Sequence, residues 1–192
     1  RLVSVPQVGT QELKTDFKGK WEVANPANAK DFSAIGYLYG RYLYDILDVP
    51  VGLIDNAWGG SAAEAWVRRE TIEKDPRFSL LMAGAKQREA DAASAKTKAD
   101  FDAATEKHKV ASAAAKAAGK TATPPPQNPL AWLNGNARPG NIFAGVVNPT
   151  LGYGIKGVIW YQGENGSGAD DAAGATTLYD YEIRGASIST DT

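Results

Sequence analysis

Two stretches of this chain put groups suited to acyl transfer at the end of an apolar run. The first is Asp55-Asn-Ala-Trp-Gly-Gly-Ser-Ala-Ala-Glu-Ala-Trp66. A strand-like pattern runs straight into Gly59-Gly60, and Ser61-Ala-Ala-Glu64 has the spacing of a capping box that opens a helix. Backbone N–H groups at such a junction favour negative charge, and paired glycines let the backbone approach a ligand closely. The Gly60 amide is thus a candidate donor to the oxyanion of an ester-cleavage intermediate, with Trp58 and Gly59 beside the substrate. A tight, capped turn without chemistry fits the same residues. Ser61 can be read as the cap or as a nucleophile, although its flanks do not form the G-x-S-x-G elbow. His108 is the one histidine in the sequence and therefore the one imidazole base available to it.

The second stretch is Ile159-Trp-Tyr-Gln-Gly-Glu-Asn165. A buried strand here would deliver Gln162, Glu164 and Asn165 to its carboxyl end, where α/β sheets bind ligands. Amide and carboxylate groups at that place can orient an ester or a sugar hydroxyl; a polar loop is the plainer alternative. Of the five tryptophans, Trp21, Trp66 and Trp132 read as core. Trp58 and Trp160 precede the two polar motifs and are candidates for stacking against a sugar.

The elements that must position these groups follow from periodicity. Arg1 to Val8 reads as a short strand ended by Pro6. From Asp31 to Leu47, Ile35, Leu38, Tyr39, Tyr42, Leu43 and Ile46 recur at three- and four-residue spacing, which predicts an amphipathic helix capped by Asp31 or Ser33. Val51–Asp55 is then an apolar run of the kind buried on both faces of a parallel sheet, and Gly157–Tyr161 is a second. Residues 83–122 are rich in Ala, Lys, Asp and Glu, all compatible with helix. Their apolar face is too thin for a central core position, so residues 83–127 are expected to be an inserted helical arm closed by the Pro124-Pro-Pro126 spacer, within one domain spanning 1–192.

Composition narrows the function. The chain has 192 residues, room for one domain with a sizeable core. Its 21 basic and 22 acidic residues leave no basic face for nucleic acid and no polybasic membrane anchor. No apolar run reaches the roughly 18 residues of a membrane span. The absence of cysteine excludes a disulfide framework and a thiolate metal site, and one histidine excludes a poly-histidine site, so no metal or cofactor is expected. The first residue is not methionine, and a processed or truncated start is expected.

Taken together, Trp21-Glu-Val-Ala-Asn-Pro26, Asp31-Phe-Ser-Ala-Ile-Gly-Tyr37, Val49-Pro-Val-Gly-Leu-Ile54 with Trp58-Gly-Gly60, Asn148-Pro149 and Ile155–Glu164 resemble sialate O-acetylesterases and related SGNH-type carbohydrate esterases. The resemblance covers residues 1–82 and 128–164 and keeps their order. It implies a three-layer α/β/α, flavodoxin-like fold, here incomplete and carrying the Ala/Lys-rich arm, and a cofactor-free, serine-type removal of acetyl groups from O-acetylated sugars or small esters. It also implies an exported protein. In that family the serine lies in a Gly-Gln-Ser-Asn loop and its Asp and His in a later segment; neither motif has a match in this sequence. The matching blocks assign Gly60 to the oxyanion hole and Gln162 and Glu164 to the site wall. The family's polar residue two places after that glutamate is Gly166 here, with Asn165 one place early, and from residue 166 the sequence departs from the pattern. Two alternatives remain open: a self-contained esterase using Ser61 and His108, and a non-catalytic sugar-binding module using Trp58 and Trp160. An incomplete sheet has open edges, so self-association or a complementing chain is also expected.

Overall fold

The computed structural model describes residues 1–161. Their centre is a two-stranded parallel sheet of β1 (Leu2–Ser4) and β2 (Leu53–Asp55), with Leu2 opposite Leu53, Val3 opposite Ile54 and Ser4 opposite Asp55. Val5 N–H continues the ladder to the Asp55 carbonyl at 2.9 Å, and an antiparallel bridge between Leu2 and Glu22 covers the other side of β1. Parallel strands need a crossover. After the short helix α1 (Pro26–Ala29), that crossover is completed by α2 (Ala34–Leu47).

Ser33 caps α2: its hydroxyl accepts from the Gly36 N–H at 3.2 Å, while its own N–H donates to Asp55 Oδ2 at 3.0 Å. The helix start is thereby tied to the end of β2. The two elements meet at Gly40, where a Cβ would stand 2.6 Å from Leu53 Cδ1, so the missing side chain sets their separation. Asp48 ends the helix in the left-handed region at φ 49°. The periodicity of α2 is as the sequence predicts, but its stripe of Ile35, Leu38, Tyr39, Tyr42 and Ile46 is exposed among the described residues, and only Gly40 of this helix is buried.

The chain then runs through a 3₁₀ turn at Ala63–Ala65 into α3 (Arg69–Lys74), α4 (Ser79–Ala93) and α5 (Ala95–Ala117). The Ala/Lys-rich stretch therefore contributes two helices of different character. Met82, Ala85 and Ala92 of α4 are buried, whereas α5 has no buried residue. Ser94 separates the two, its hydroxyl capping α5 through the Thr97 N–H at 3.1 Å. Two apolar clusters result. One joins Val5, Ala65, Ile142 and Val146 under the sheet, with Phe17, Ile54, Trp58, Trp66 and Val147 around it; the other joins Ile72, Phe78 and Met82.

Two sequence expectations are corrected. Gly157–Tyr161 is not a strand: it pairs with no other segment among the described residues, and Val158, Ile159, Trp160 and Tyr161 are all exposed. An apolar run becomes a strand by finding a partner and a covered face, and the described residues offer it neither. Val51–Asp55 does form a strand at Leu53–Asp55, but its side chains are half-buried rather than enclosed on both faces. The described residues thus make a mixed helix-and-strand arrangement with a small sheet. No described helix is long and apolar enough to cross a membrane.

Candidate active site

The turn after β2 is fixed by its own polar side chains. Asp55 Oδ1 accepts from the Ala57 N–H at 2.9 Å, which bends the chain away from the sheet. Asn56 Nδ2 donates to Thr150 Oγ1 at 3.3 Å, and Gln7 Nε2 to the Ala57 carbonyl at 3.1 Å. Trp58 lies half-buried against the cluster around Val146, so part of its ring serves as core. Beyond it Gly59 and Gly60 are exposed, and Gly60 sits at φ 68°, a left-handed conformation natural to glycine.

Asn136 pins this turn from both sides. Its Nδ2 donates to the Gly59 carbonyl at 2.9 Å, and its carbonyl accepts from the Ala62 N–H at 3.1 Å. The Gly60 N–H lies between these two anchors and has no hydrogen-bond acceptor among the described residues. An exposed, unused donor on a backbone clamped at both ends is preorganised for an incoming anion.

The capping box does not form. Ala62, not Ser61, precedes the 3₁₀ turn, no side chain caps it, and the next α-helix begins only at Arg69. The physical reason is that the Ser61 hydroxyl, 6% exposed, is engaged by the Trp66 indole N–H at 2.8 Å. The donor capacity at Gly60 is therefore that of a fixed turn amide rather than of a helix dipole. Trp66 in turn meets Trp160 edge to face, with ring centroids 5.4 Å apart and planes at 80°. Trp160 is 46% exposed.

His108 stands on α5, its Nε2 2.7 Å from the Thr123 carbonyl, and forms no hydrogen bond with Ser61. The Gly59–Gly60 turn, Ser61, Trp66 and Trp160 are brought together; His108 is held on α5 against the Thr123 carbonyl. Gln162, Glu164 and Asn165 lie outside the described residues.

Three further groups support this region, and the sequence marks only Glu64 among them, by its place in the capping-box pattern. Asn136 is one. Glu64 is another: burial pushes its carboxyl above the usual carboxylate range, against the opposing effects of its backbone hydrogen bond and Arg88. The third is Asn141, fully buried, whose Nδ2 donates to the Leu133 and Gly135 carbonyls at 3.0 and 2.8 Å while Oδ1 accepts from Gln11 Nε2 at 2.6 Å. Together these bonds fix the connection between Leu133 and Asn141 that carries Asn136. Among the described residues no group of His, Cys, Asp or Glu is arranged to hold a metal.

The chain is similar to sialate O-acetylesterases. It is 27% identical to the rat sialate O-acetylesterase (Rattus norvegicus) over an alignment of 180 positions that covers 86% of this chain and 29% of that protein. It is 26% identical to the human sialate O-acetylesterase (Homo sapiens) over an alignment of 175 positions that covers 86% of this chain and 24% of that one. Its fold matches a crystal structure of a carbohydrate acetylesterase from Xanthomonas citri with a TM-score of 0.54 at 23% identity, covering 96% of this chain and 30% of that one. No family model matches the chain. The chain thus spans less than a third of the length of these relatives, and over that span it is sialate O-acetylesterase-like, as the motifs around Trp58-Gly-Gly60 imply.

Proposed function

We propose that this chain forms part of the active site of a serine-type carbohydrate O-acetylesterase, with the Gly60 amide as an oxyanion donor. The observation that carries the reading is the Gly59–Gly60 turn: exposed, clamped by Asn136 on both sides, and presenting an N–H without an acceptor among the described residues. In ester cleavage a serine oxygen adds to the acetyl carbonyl while a base takes its proton. The carbonyl oxygen becomes an anion, and a fixed amide within hydrogen-bond reach stabilises it more than the starting ester. Collapse releases the sugar hydroxyl, which regains a proton, and water then cleaves the acetyl-enzyme by the same route.

The resemblance assigns the serine to a Gly-Gln-Ser-Asn loop and the base to an Asp–His segment, and this sequence supplies the turn and one wall. Gln162 and Glu164, at the end of the Trp160 segment, are the proposed groups for the sugar hydroxyls, with Asn165 beside them. Trp160, half-exposed and near the turn through Trp66, is the proposed stacking face. An O-acetylated sialic acid or a related acetylated glycan is the proposed substrate, in an exported setting, with no cofactor. Residues 83–127 belong to this reading as an insertion outside the chemistry.

The test is acetate release from p-nitrophenyl acetate and from O-acetylated sialic acid. The assay compares this chain alone with the same chain joined to polypeptide carrying the Gly-Gln-Ser-Asn loop and the Asp–His segment. Hydrolysis that requires the added segments supports the reading. Hydrolysis by the chain alone that vanishes in His108→Ala and in Ser61→Ala would replace it with the self-contained site. Sugar binding without hydrolysis in either form would leave a binding module.

A further inference from the structure

We infer that Ser61 is a positioning residue: its hydroxyl fixes the ring of Trp66, and through it the ring of Trp160, so that the Gly59–Gly60 turn and the segment leading to Gln162 share one geometry. The catalytic consequence rests on the esterase reading; the positioning itself does not.

An indole has a single N–H and no acceptor, so a hydrogen bond to it selects one orientation of the whole ring. Trp66 Nε1 makes that bond to Ser61 Oγ at 2.8 Å, at a serine that is 6% exposed and shielded from competing water. The ring so oriented receives Trp160 edge to face at 5.4 Å and 80°, an arrangement in which the positive ring edge meets the negative face. Trp66 is further braced against the cluster of Val5, Ala65, Ile142 and Val146. Ser61 follows Gly60 directly in the chain, and Trp160 precedes Gln162 by two residues. One hydroxyl therefore links the proposed oxyanion donor to the proposed substrate wall through two rings. A serine oxygen that accepts from an indole N–H is also a poorer nucleophile, so this role stands in place of the nucleophilic one.

Removing the hydroxyl leaves the Trp66 N–H without its acceptor in a half-buried site, and the ring turns to find another. The experiment is circular dichroism of the full 192-residue chain, reading the exciton couplet of the Trp66–Trp160 pair, with Trp160→Leu to assign the signal. Ser61→Ala is expected to reduce the couplet by about twofold or more, and Ser61→Thr, which keeps the hydroxyl, to restore it. Ser61→Cys, of similar volume but weak as an acceptor, carries the same expectation as Ser61→Ala and serves if the alanine variant does not fold. In the hydrolysis assay with the added segments, Ser61→Ala is expected to lower kcat about tenfold with KM little changed, and Ser61→Thr to recover it. A couplet that is unchanged in Ser61→Ala and Ser61→Cys, or that Trp160→Leu does not remove, overturns the inference. So does a kcat loss of about ten-thousandfold with the couplet intact, which marks a nucleophile. If no form hydrolyses any ester, the esterase reading fails while the couplet still decides the positioning.

Discussion

The Glu89 carboxylate of α4 takes the Arg69 guanidinium of α3 in a two-point grip, at 2.5 Å to Nη1 and 3.2 Å to Nη2. Arg138 joins the same carboxylate at 2.9 Å through Nε, and Arg69 also reaches Glu73 and Gln11. Two distant segments therefore converge on one carboxylate whose side chain is only 21% exposed. Planar, two-point pairing of this kind is the strong form of an ion pair. The carboxylate also holds in place Arg138, whose Nη1 bonds the Leu133 carbonyl and which opens the segment containing Asn141.

Replacing Glu89 by Gln is expected to lower the stability of the chain by about 2 kcal/mol, because it takes the carboxylate from Arg138 and leaves the partly buried Arg69 with Glu73 alone. The hydrogen bond from Arg69, aided by Arg138, holds the Glu89 carboxyl below its ordinary range against the opposing effect of burial. A depressed folded pKa contributes stability that is present above the unfolded value, near 4.3, and is lost as pH falls through the folded one. Urea unfolding at stepped pH should therefore show a wild-type loss on acidification below about pH 4 that is smaller in Glu89→Gln. Parallel pH curves would remove this pairing as the source.

Asn141 makes the second prediction. Its side chain satisfies two carbonyls and one amide with no exposure to water. Asn141→Leu keeps much of the volume but strands the Leu133 and Gly135 carbonyls and the Gln11 amide, so a loss of about 3 kcal/mol is expected in chemical denaturation. Asn141→Asp is expected to be at least as damaging, since a carboxylate would face two carbonyl oxygens. A loss below about 1 kcal/mol would mean that water or a shift of the backbone satisfies these groups.

These two sites show where the sequence is legible and where it is not. The strands at Leu2 and Leu53, the helix at 34–47 and the Gly59–Gly60 turn follow from local pattern, because each is decided by neighbours a few residues away. The capping box at Ser61 fails for the opposite reason: the same hydroxyl had a second claimant in Trp66, and geometry rather than spacing chose between them. Glu89, Arg69 and Arg138 read as solvated charges in a sequence, and nothing in their spacing shows that they meet. Asn136 and Asn141 look like ordinary turn residues beside glycine, and only the fold reveals that one clamps the turn and the other supports the clamp. The Gly157–Tyr161 run misled because apolar content signals burial, whereas a strand also needs a pairing edge.

The third prediction concerns Glu64, within the Trp58–Trp66 stretch. Burial raises its carboxyl above the ordinary range. Between the unfolded value, near 4.3, and the raised folded one, the native state keeps a proton that the unfolded chain has lost. Stability from this group is thus fully present below the unfolded value and declines as pH rises through the folded value. Glu64→Gln should remove that decline and make the chain more stable than wild type at neutral pH. Denaturation midpoints at acid and neutral pH check it: a variant less stable than wild type at neutral pH would show that the carboxylate is compensated in the native state.

The last prediction tests the oxyanion donor at its backbone. Gly60 sits at φ 68°, where an L-residue is strained by on the order of 1–2 kcal/mol. In Gly60→Ala the turn relieves this strain by rotating, which tilts the N–H away from its present direction while Asn136 still holds Gly59 and Ala62. In the hydrolysis assay with the added segments, kcat is expected to fall by about ten- to a hundredfold with little change in KM, because a misdirected amide weakens only the interaction that grows with the oxyanion. D-Alanine at the same position, introduced by semisynthesis, prefers positive φ and should return most of the lost rate. If the D- and L-residues lower kcat equally, the methyl group blocks the substrate and the amide is not the donor. If neither lowers it, the oxyanion is held elsewhere and the turn has no part in the chemistry.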